Sequence, residues 1–556
     1  MNNFTKKIVH FLLIKSILTA VVLAEDSSQY SSKEKIYISQ FANPVFPDVK
    51  QSSRKLVNNK RMFKWYASQP LTINFENKGV TAFDLFINGK KIDVNGLIKE
   101  KSFDITVNHF IHDGNDNTLS IQNMIPTGAS LTVNIPYPVL KKGAPEDVGF
   151  SIKKLKKVDE LIEKDVTKGF PGASIVIVKN GKIVKASSYG YTRKYENSTL
   201  LMKKPERTIP ITMYDMASNS KMFSTNFAIM HLVNENKINI NDPVHKYLPL
   251  YTGTDENGQS RDDRTIKDLL TYSAGYGHSH SFDSPRVNSI HPLYSQNKTT
   301  TEKIICSTLS FSRPKGGVPK YSDENYILLG IIVEHVTGMP LDKYVESHIY
   351  HPLGLGHTVY NPLEKGFKPS DCAATELTGN TRGGVLNFPN IRTSVLQGQV
   401  HDEKAFYCMS GVSGHAGLFS NILDMAVLMQ VMLNQGGYGN VKLWDRNIES
   451  EFVKPGDLDI TFGLGWRRQG NENLTWHFGP YASEYAVGHT GWTGTVTVID
   501  PQYDLAIALL TNKKHSIISD PKNAPDIFFG DSFETGQYGS VITLIYEALI
   551  NVEDED

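Results

Sequence analysis

The sequence predicts an α+β fold for most of its length, preceded by a small all-β sandwich-like unit, on three observations. Short alternating apolar runs fill residues 61–135. Apolar hairpins mark residues 173–184 and 495–510. The long stretch between those hairpins carries helical periodicity instead.

In chain order, residues 1–24 read as a secretory signal. Lys6 and Lys7 form a positive start, an apolar stretch runs from Ile8 to Leu23, and Ala24 offers a small residue before Glu25. Lys15 interrupts that stretch, which makes it poor for crossing a bilayer. The expectation is an exported protein of the periplasm or cell envelope. The alternative is inner-membrane anchoring, and so membrane association, through an uncleaved segment at residues 8–24. Residues 25–60 are polar, with no clear periodicity.

Within residues 61–135, Leu71–Phe75, Asp84–Ile87, Phe103–Val107, Thr118–Ile121 and Leu131–Ile135 alternate with period two. Turn residues separate them: Asn77-Lys78-Gly79, Asn88-Gly89 and Asp113-Gly114-Asn115. Strands at this spacing predict an antiparallel sandwich. Nothing in it resembles a catalytic site, so a binding or spacer role is expected. Pro136, Pro138 and Pro145 mark a linker over residues 136–147.

The remaining domain, residues 148–556, opens with a helix carrying Leu155, Val158, Leu161 and Ile162 on one stripe. Ala173–Val178, the turn Asn180-Gly181 and Ile183-Val184 then predict a type I′ hairpin. Thr495–Ile499, a turn over residues 500–504 and Leu505–Leu510 mirror it near the other end. Both hairpins are expected in one antiparallel sheet flanked by helices, with a helical region between them.

Composition narrows the function. Lys+Arg and Asp+Glu both number 58, which argues against nucleic acid held by bulk charge. Hydrophobic residues at 40% and charged residues at 21% suit a chain with a sizeable core. Three cysteines, Cys306, Cys372 and Cys408, exclude a disulfide framework, and no C-x-x-C is present.

Three motifs bear on chemistry. Ser218-Asn219-Ser220-Lys221 precedes a helical stripe of Phe223, Phe227, Met230 and Val233. At i and i+3 the lysine shares a face with the serine, whose hydroxyl needs a base to become a nucleophile. Tyr321-Ser322-Asp323 opens another helix that stops at Gly338. Its phenol can shuttle protons near the serine, while Ser322 or Asp323 can equally be an N-cap. His489-Thr490-Gly491 stands just before the strand at Thr495 and is expected along an edge strand. Gly491 is expected to let a substrate backbone approach closely.

The S-x-x-K, Tyr-x-Asp and His-Thr-Gly order resembles the serine β-lactamase and penicillin-binding protein superfamily, and its class C-like branch in particular. Phe170–Ala173, Tyr214–Ala217, Thr265–Leu270, Tyr326–Gly330, Pro352–Leu355 and Gly417–Ser420 are similar to that branch. Phe388–Thr393, Val400–Ala405 and Gly488–Thr495 resemble the 4B group of penicillin-binding proteins. The resemblance spans roughly residues 136–550 and leaves the sandwich outside.

That resemblance implies a β-lactamase/transpeptidase-like fold and a serine-type D-alanyl-D-alanine carboxypeptidase acting on peptidoglycan stem peptides or small acyl substrates, with β-lactams as inhibitors. Ser218, Lys221 and Tyr321 would be catalytic. The backbone N–H groups of Ser218 and Trp492 would hold the oxyanion, and Asp323, His489, Thr490 and Gly491 would line the substrate. An esterase, a β-lactamase or a non-catalytic penicillin-binding protein are the alternatives. Two departures stand out. Asp323 replaces the asparagine of many relatives, and a carboxylate there favours the ammonium form of Lys221. His489 replaces a lysine, so a cation for a substrate carboxylate becomes conditional on pH.

No cofactor and no metal are expected. His401-Asp402-Glu403, His278 and His280 carry ligand-type side chains, but adjacent strand residues diverge and no pair has helical ligand spacing.

Overall fold

The computed structural model describes residues 59–550, apart from 127–128, 198–199, 278, 284–291 and 471–473. The expected signal, the polar segment through residue 58, and His278 lie outside the described residues. Two compact units divide the chain. Among the described residues, the first takes those up to Lys142 together with Gly439–Lys442, and the second takes Gly143–Tyr438 and those from Leu443 onward.

In the first unit, seven strands form two antiparallel sheets. They are β1 (Asn59–Lys64), β2 (Thr72–Lys78), β3 (Ala82–Ile87), β4 (Lys90–Ile92), β5 (Ser102–Thr106), β6 (Asp116–Ile125) and β7 (Ser130–Asn134). The orders are β1-β6-β3-β4 and β5-β2-β7. The alternation in the sequence becomes two inner faces: Ile73, Phe75, Leu85, Ile87, Leu119, Ile121, Leu131 and Val133 share one core. The Phe75 ring stacks on Phe103 at 5.1 Å between centroids. Asn88 and Gly89 both adopt positive φ, 49° and 77°, in the tight turn joining β3 to β4.

The second unit begins with α1 (Ile152–Lys168), capped by the Ser151 side chain accepting from Lys154 N. Strands β8 (Gly172–Lys179) and β9 (Lys182–Gly190) follow. They join through Asn180 and Gly181 at φ 51° and 68°, the type I′ turn the sequence predicts. The later strands are β10 (Arg467–Arg468), β11 (Val487–Gly491), β12 (Thr495–Asp500) and β13 (Leu505–Thr511). Within the unit their sheet order is β10-β11-β12-β13-β8-β9. Leu505 pairs with Lys179 and Thr511 with Ala173, so the first and last hairpins do meet edge to edge.

Helices explain why these strands read as unbroken apolar runs. On one face, Leu155, Val158 and Ile162 of α1 and Val541, Ile542 and Ile545 of the last helix pack on Ile175, Ile177, Val496 and Val498. On the other, α4 (Ile422–Leu433) lies against β13 and β8. A sheet covered on both faces has no polar side to show. The intervening region includes α2 (Phe227–Asn234) and α3 (Asp323–Thr337), and α3 ends at Gly338 in the left-handed conformation. The last helix, α5, is Tyr538–Ile550. All three cysteines are buried and unpaired. Among the described residues no helix is long and apolar enough to cross a membrane.

Candidate active site

The chain leaves Asp215 and turns sharply at Ala217, whose φ of 46° is rare for a residue with a side chain. Buried Asp215 holds that turn. One carboxylate oxygen accepts from Ala217 N at 2.8 Å and the other from His401 N at 2.6 Å. A tight turn over Ala217–Asn219, a wide one over Lys221–Asn226, and then α2 follow. Ser218 therefore stands in the first turn of a helical run, where backbone N–H groups lack intrahelical acceptors.

Lys221 is fully buried. Its ammonium lies 3.0 Å from Ser218 Oγ, 3.0 Å from the His415 carbonyl oxygen and 2.8 Å from Asp323 Oδ1. The Tyr321 hydroxyl is 2.7 Å from Ser218 Oγ. The structure thus brings Lys221 and Tyr321 to the Ser218 hydroxyl and Asp323 to Lys221. Burial works against charge on Lys221, but Asp323, with Tyr321, outweighs it and holds the ammonium above the ordinary lysine range. This is the direction the Asp323 departure predicts. Burial also raises the Tyr321 phenol, against the pull of Lys221.

His489, Thr490 and Gly491 form the end of β11, paired with Thr497, Val496 and Thr495 of β12. On the other side β10 pairs only with Val487 and Gly488. The strand is thus not the edge strand the sequence suggests, because the two-residue β10 lies outside it, but among the described residues its last three positions have no strand partner on that side. Two further expectations change. His489 Nδ1 lies 2.7 Å from the Thr490 carbonyl oxygen, which can only accept, so Nδ1 carries the proton. Nε2 is buried without a hydrogen-bond partner. Burial, and then the nearby Lys221 charge, pull this histidine down to about 3 against the Thr490 bond. The conditional cation is thus a neutral imidazole throughout the physiological range.

Gly491 also has a different task. A Cβ there would meet the Thr495 hydroxyl and would lie 2.6 Å from Met216 O. The missing side chain admits the protein's own backbone beside Ser218, the contact that crowds this position in the structure.

Trp492 follows directly. It is 41% exposed, its Nε1–H donates to His401 Nε2 at 3.2 Å, and the Lys514 ammonium sits 4.0 Å from the ring centre. Ser218, Tyr321, Asp323 and Trp492 open onto a cavity of about 670 Å³, whose far wall includes Arg382, Asn380 and Phe388.

His401, Asp402 and Glu403 do not share one centre. His401 turns to Trp492, Asp402 accepts from His415 Nε2 at 2.9 Å, and Glu403 meets Arg382 at 2.6 Å. His280 offers its backbone N–H to Glu324. Atoms of Asp323, Asp402 and His415 do come within 4.8 Å of one another. A lysine ammonium occupies that junction: Lys404 Nζ is 3.1 Å from Asp323 and 3.7 Å from Asp402. Sequence reasoning missed Lys404 and His415 as neighbours of the serine. Lys404 lies within the family-like stretch Val400–Ala405, but nothing in its spacing ties it to Asp323. It also missed Glu376 and Arg382, which pair beside His401. Burial pushes the Glu376 carboxyl up to about 8 despite Arg382.

Comparison with known proteins bears on this arrangement. The family model described as Beta-lactamase matches residues 158–531. The chain is similar to the N-acetylmuramyl-L-alanine amidase of Bacillus subtilis, 51% identical over 78% of this chain and 97% of that one. It is also similar to a Salmonella typhi protein provisionally named D-alanyl-D-alanine carboxypeptidase, 49% identical over 75% of this chain and 95% of that one. Among solved structures, a penicillin-binding protein homologue from Caulobacter crescentus shares the fold at TM-score 0.51. It is 18% identical, and the alignment covers 72% of this chain and 99% of that one.

Proposed function

This chain belongs to the beta-lactamase family and is a serine hydrolase, and from that premise we propose that it is an acyl-enzyme amidohydrolase of peptidoglycan stem peptides, of the D-alanyl-D-alanine carboxypeptidase type. The observation that carries this reading is the convergence of Lys221 at 3.0 Å and Tyr321 at 2.7 Å on the one Ser218 hydroxyl, inside a cleft.

In this reading Ser218 Oγ attacks the amide carbonyl. Lys221, having released its own proton, takes the serine's proton, and Tyr321 passes one to the departing amine. The backbone N–H groups of Ser218 and Trp492 receive the oxyanion. Water then attacks the acyl-serine by the reverse route. Trp492, directly after β11, lines the cleft where an extended peptide would lie, whereas the Thr490 and Gly491 carbonyls are already engaged by His489 and by Tyr538. β-Lactams would acylate the same serine. Export through residues 1–24 would bring the enzyme to its polymer, and sequencing the N-terminus of the mature protein tests that.

A second bond is favoured by one specific feature. Neutral His489 offers no cation to the terminal carboxylate of a D-Ala-D-Ala peptide. The amide between N-acetylmuramic acid and L-alanine needs no such cation, and the Bacillus subtilis relative is named for it. Both bonds occur in N-acetylmuramyl-pentapeptide. Incubation followed by mass spectrometry reads free D-alanine for the first cleavage and free N-acetylmuramic acid for the second. Release of neither, by protein whose Ser218 reacts with a simple ester, would move the assignment to an esterase.

A further inference from the structure

Asp323 is shared between two lysines. Its Oδ1 lies 2.8 Å from Lys221 and its Oδ2 lies 3.1 Å from Lys404. Lys404 is held in turn. It starts the wide turn Lys404–Cys408, whose Ala405 N–H donates to Asp402 Oδ1 at 2.8 Å. Asp402 Oδ2 is 3.7 Å from Lys404, and Asp402 Oδ1 accepts from His415 Nε2 at 2.9 Å. His415 Nδ1 is 2.7 Å from Ser413 Oγ, and the His415 carbonyl accepts from Lys221 at 3.0 Å. The contacts form a closed ring: Lys221, Asp323, Lys404, Asp402, His415 and back to Lys221.

We propose that Lys404 is a positioning residue for the acylation step, taking one oxygen of Asp323 so that Lys221 is not bound to an undivided carboxylate. The inference rests on the reading of Lys221 as the acceptor of the Ser218 proton. A carboxylate facing one buried ammonium fixes the proton there, because the attraction between two unit charges in contact is large away from water. A second ammonium on the same carboxylate repels the first and divides that attraction. Lys221 faces Ser218, Tyr321, Asp323, the His415 carbonyl and neutral His489, so Lys404 is the second cation on its counter-ion. Around Lys404 itself stand Asp323, Asp402, Glu324 and Glu403, and Glu403 is engaged by Arg382. Those carboxylates hold the Lys404 ammonium well above the ordinary lysine range, with burial opposing them. Lys404 is therefore held as a cation more firmly than Lys221. The two carboxylates that hold Lys404, Asp323 and Asp402, make no hydrogen bond to Ser218, which separates the role of Lys404 from that of the groups around the hydroxyl.

The test is the pH dependence of burst acylation by p-nitrophenyl acetate, followed by rapid mixing from pH 6 to 12 on the full chain, so that the series runs past the raised Lys221 titration to its plateau. Acylation requires Lys221 to shed its proton, so the rate rises with pH. Lys404→Met leaves Asp323 wholly to Lys221, and the rising limb moves to higher pH by about one unit. Lys404→Arg restores the cation and returns the limb toward the wild-type position. Asp323→Asn moves it the other way. If Lys404→Met fails to fold, Lys404→Gln is carried through the same series. A folded Lys404→Met or Lys404→Gln protein that is slower but has an unmoved limb overturns the proposal, since lost packing alone does not shift a titration. A Lys221→Met protein that acylates with the wild-type profile would instead remove the premise.

Discussion

The Thr497 hydroxyl donates to the Asn219 side-chain oxygen at 2.8 Å, joining the residue after the serine to the strand after the histidine. The Asn219 amide donates to the Thr495 hydroxyl at 3.0 Å, and that hydroxyl lies 3.1 Å from Met216 O. Thr493 Oγ1 donates to Asp215 O at 2.7 Å. A row of small hydroxyls thus fastens the β11–β12 hairpin to the loop that presents Ser218. These groups are buried, and an unmatched partner would cost about 1–3 kcal/mol. The geometry of the serine is set from both sides of the cleft floor.

That fastening leaves no room at Gly491. Gly491→Ala would force β11 away from Met216 and Thr495. The expected outcome is a folded protein, about 1–3 kcal/mol less stable by chemical denaturation, with acylation slowed by roughly 100-fold. Wild-type acylation in Gly491→Ala would show that the two segments need not be in register.

Ser218→Ala removes the hydroxyl while leaving the buried ring around Lys221 in place. Covalent labelling by a fluorescent penicillin or by p-nitrophenyl acetate should vanish, with hydrolysis down by at least ~1000-fold. The melting temperature should stay close to that of the wild type, because the substitution opens no large cavity. Persistent labelling at another residue, located by peptide mass spectrometry, would transfer the nucleophile elsewhere.

His489 is held down to about 3, so it should contribute no titration to kcat/KM between pH 5 and 8. Any limb in that window should survive His489→Gln. His489→Lys places beside Lys221 an amine far more basic than imidazole, though opposed by the same burial. It should lower the pH at which acylation begins, because a nearby positive charge disfavours the Lys221 ammonium. A wild-type limb near pH 6.5 that disappears in His489→Gln would contradict the neutral assignment.

His515 tests the folded state away from the cleft. It is fully buried, its Nε2 accepts from Tyr195 N at 3.1 Å, and burial, followed by Arg193, pulls it down to about 3. The unfolded chain binds a proton here below about pH 6.5 while the folded chain does not. Stability contributed by this group is therefore present above that pH and is lost as pH falls toward 3, by about 1.4 kcal/mol per pH unit. Glu376, raised to about 8, acts in the opposite sense as pH rises above the usual carboxylate range. His515→Gln should flatten the acid side of a urea-midpoint profile between pH 6 and 4. An unchanged slope would mean that His515 is protonated in the folded protein.

Much of this was legible in the residues. The alternation of Ile73 and Phe75, the Asn180-Gly181 turn and the stop at Gly338 are local signals, and each produced the expected structure. The meeting of Ser218, Lys221 and Tyr321 was legible because motif order within a family carries three-dimensional information that spacing alone does not. His489 was not legible in its charge: a histidine's state depends on burial and on which neighbour accepts from Nδ1. Lys404 and His415 were invisible for a related reason. Their meaning comes from a ring closed by segments that share no periodicity. Gly491 suggests room for a substrate in the sequence alone, which cannot show that Met216 fills the space.

Strand β8 lies early in the catalytic unit, yet its neighbour in the sheet is β13, close to the other end. Nearly all of the unit must therefore be synthesised before its central ladder can close. Such distant pairing makes folding slow, because loop-closure entropy comes before any reward. It also acts as a safeguard in time. His489 and Thr497 arrive on the late strands, so a nascent chain displays Ser218 without the hairpin that fixes it. Hydrolytic competence then becomes a report on complete folding, and chains truncated before Leu505 should be chemically silent.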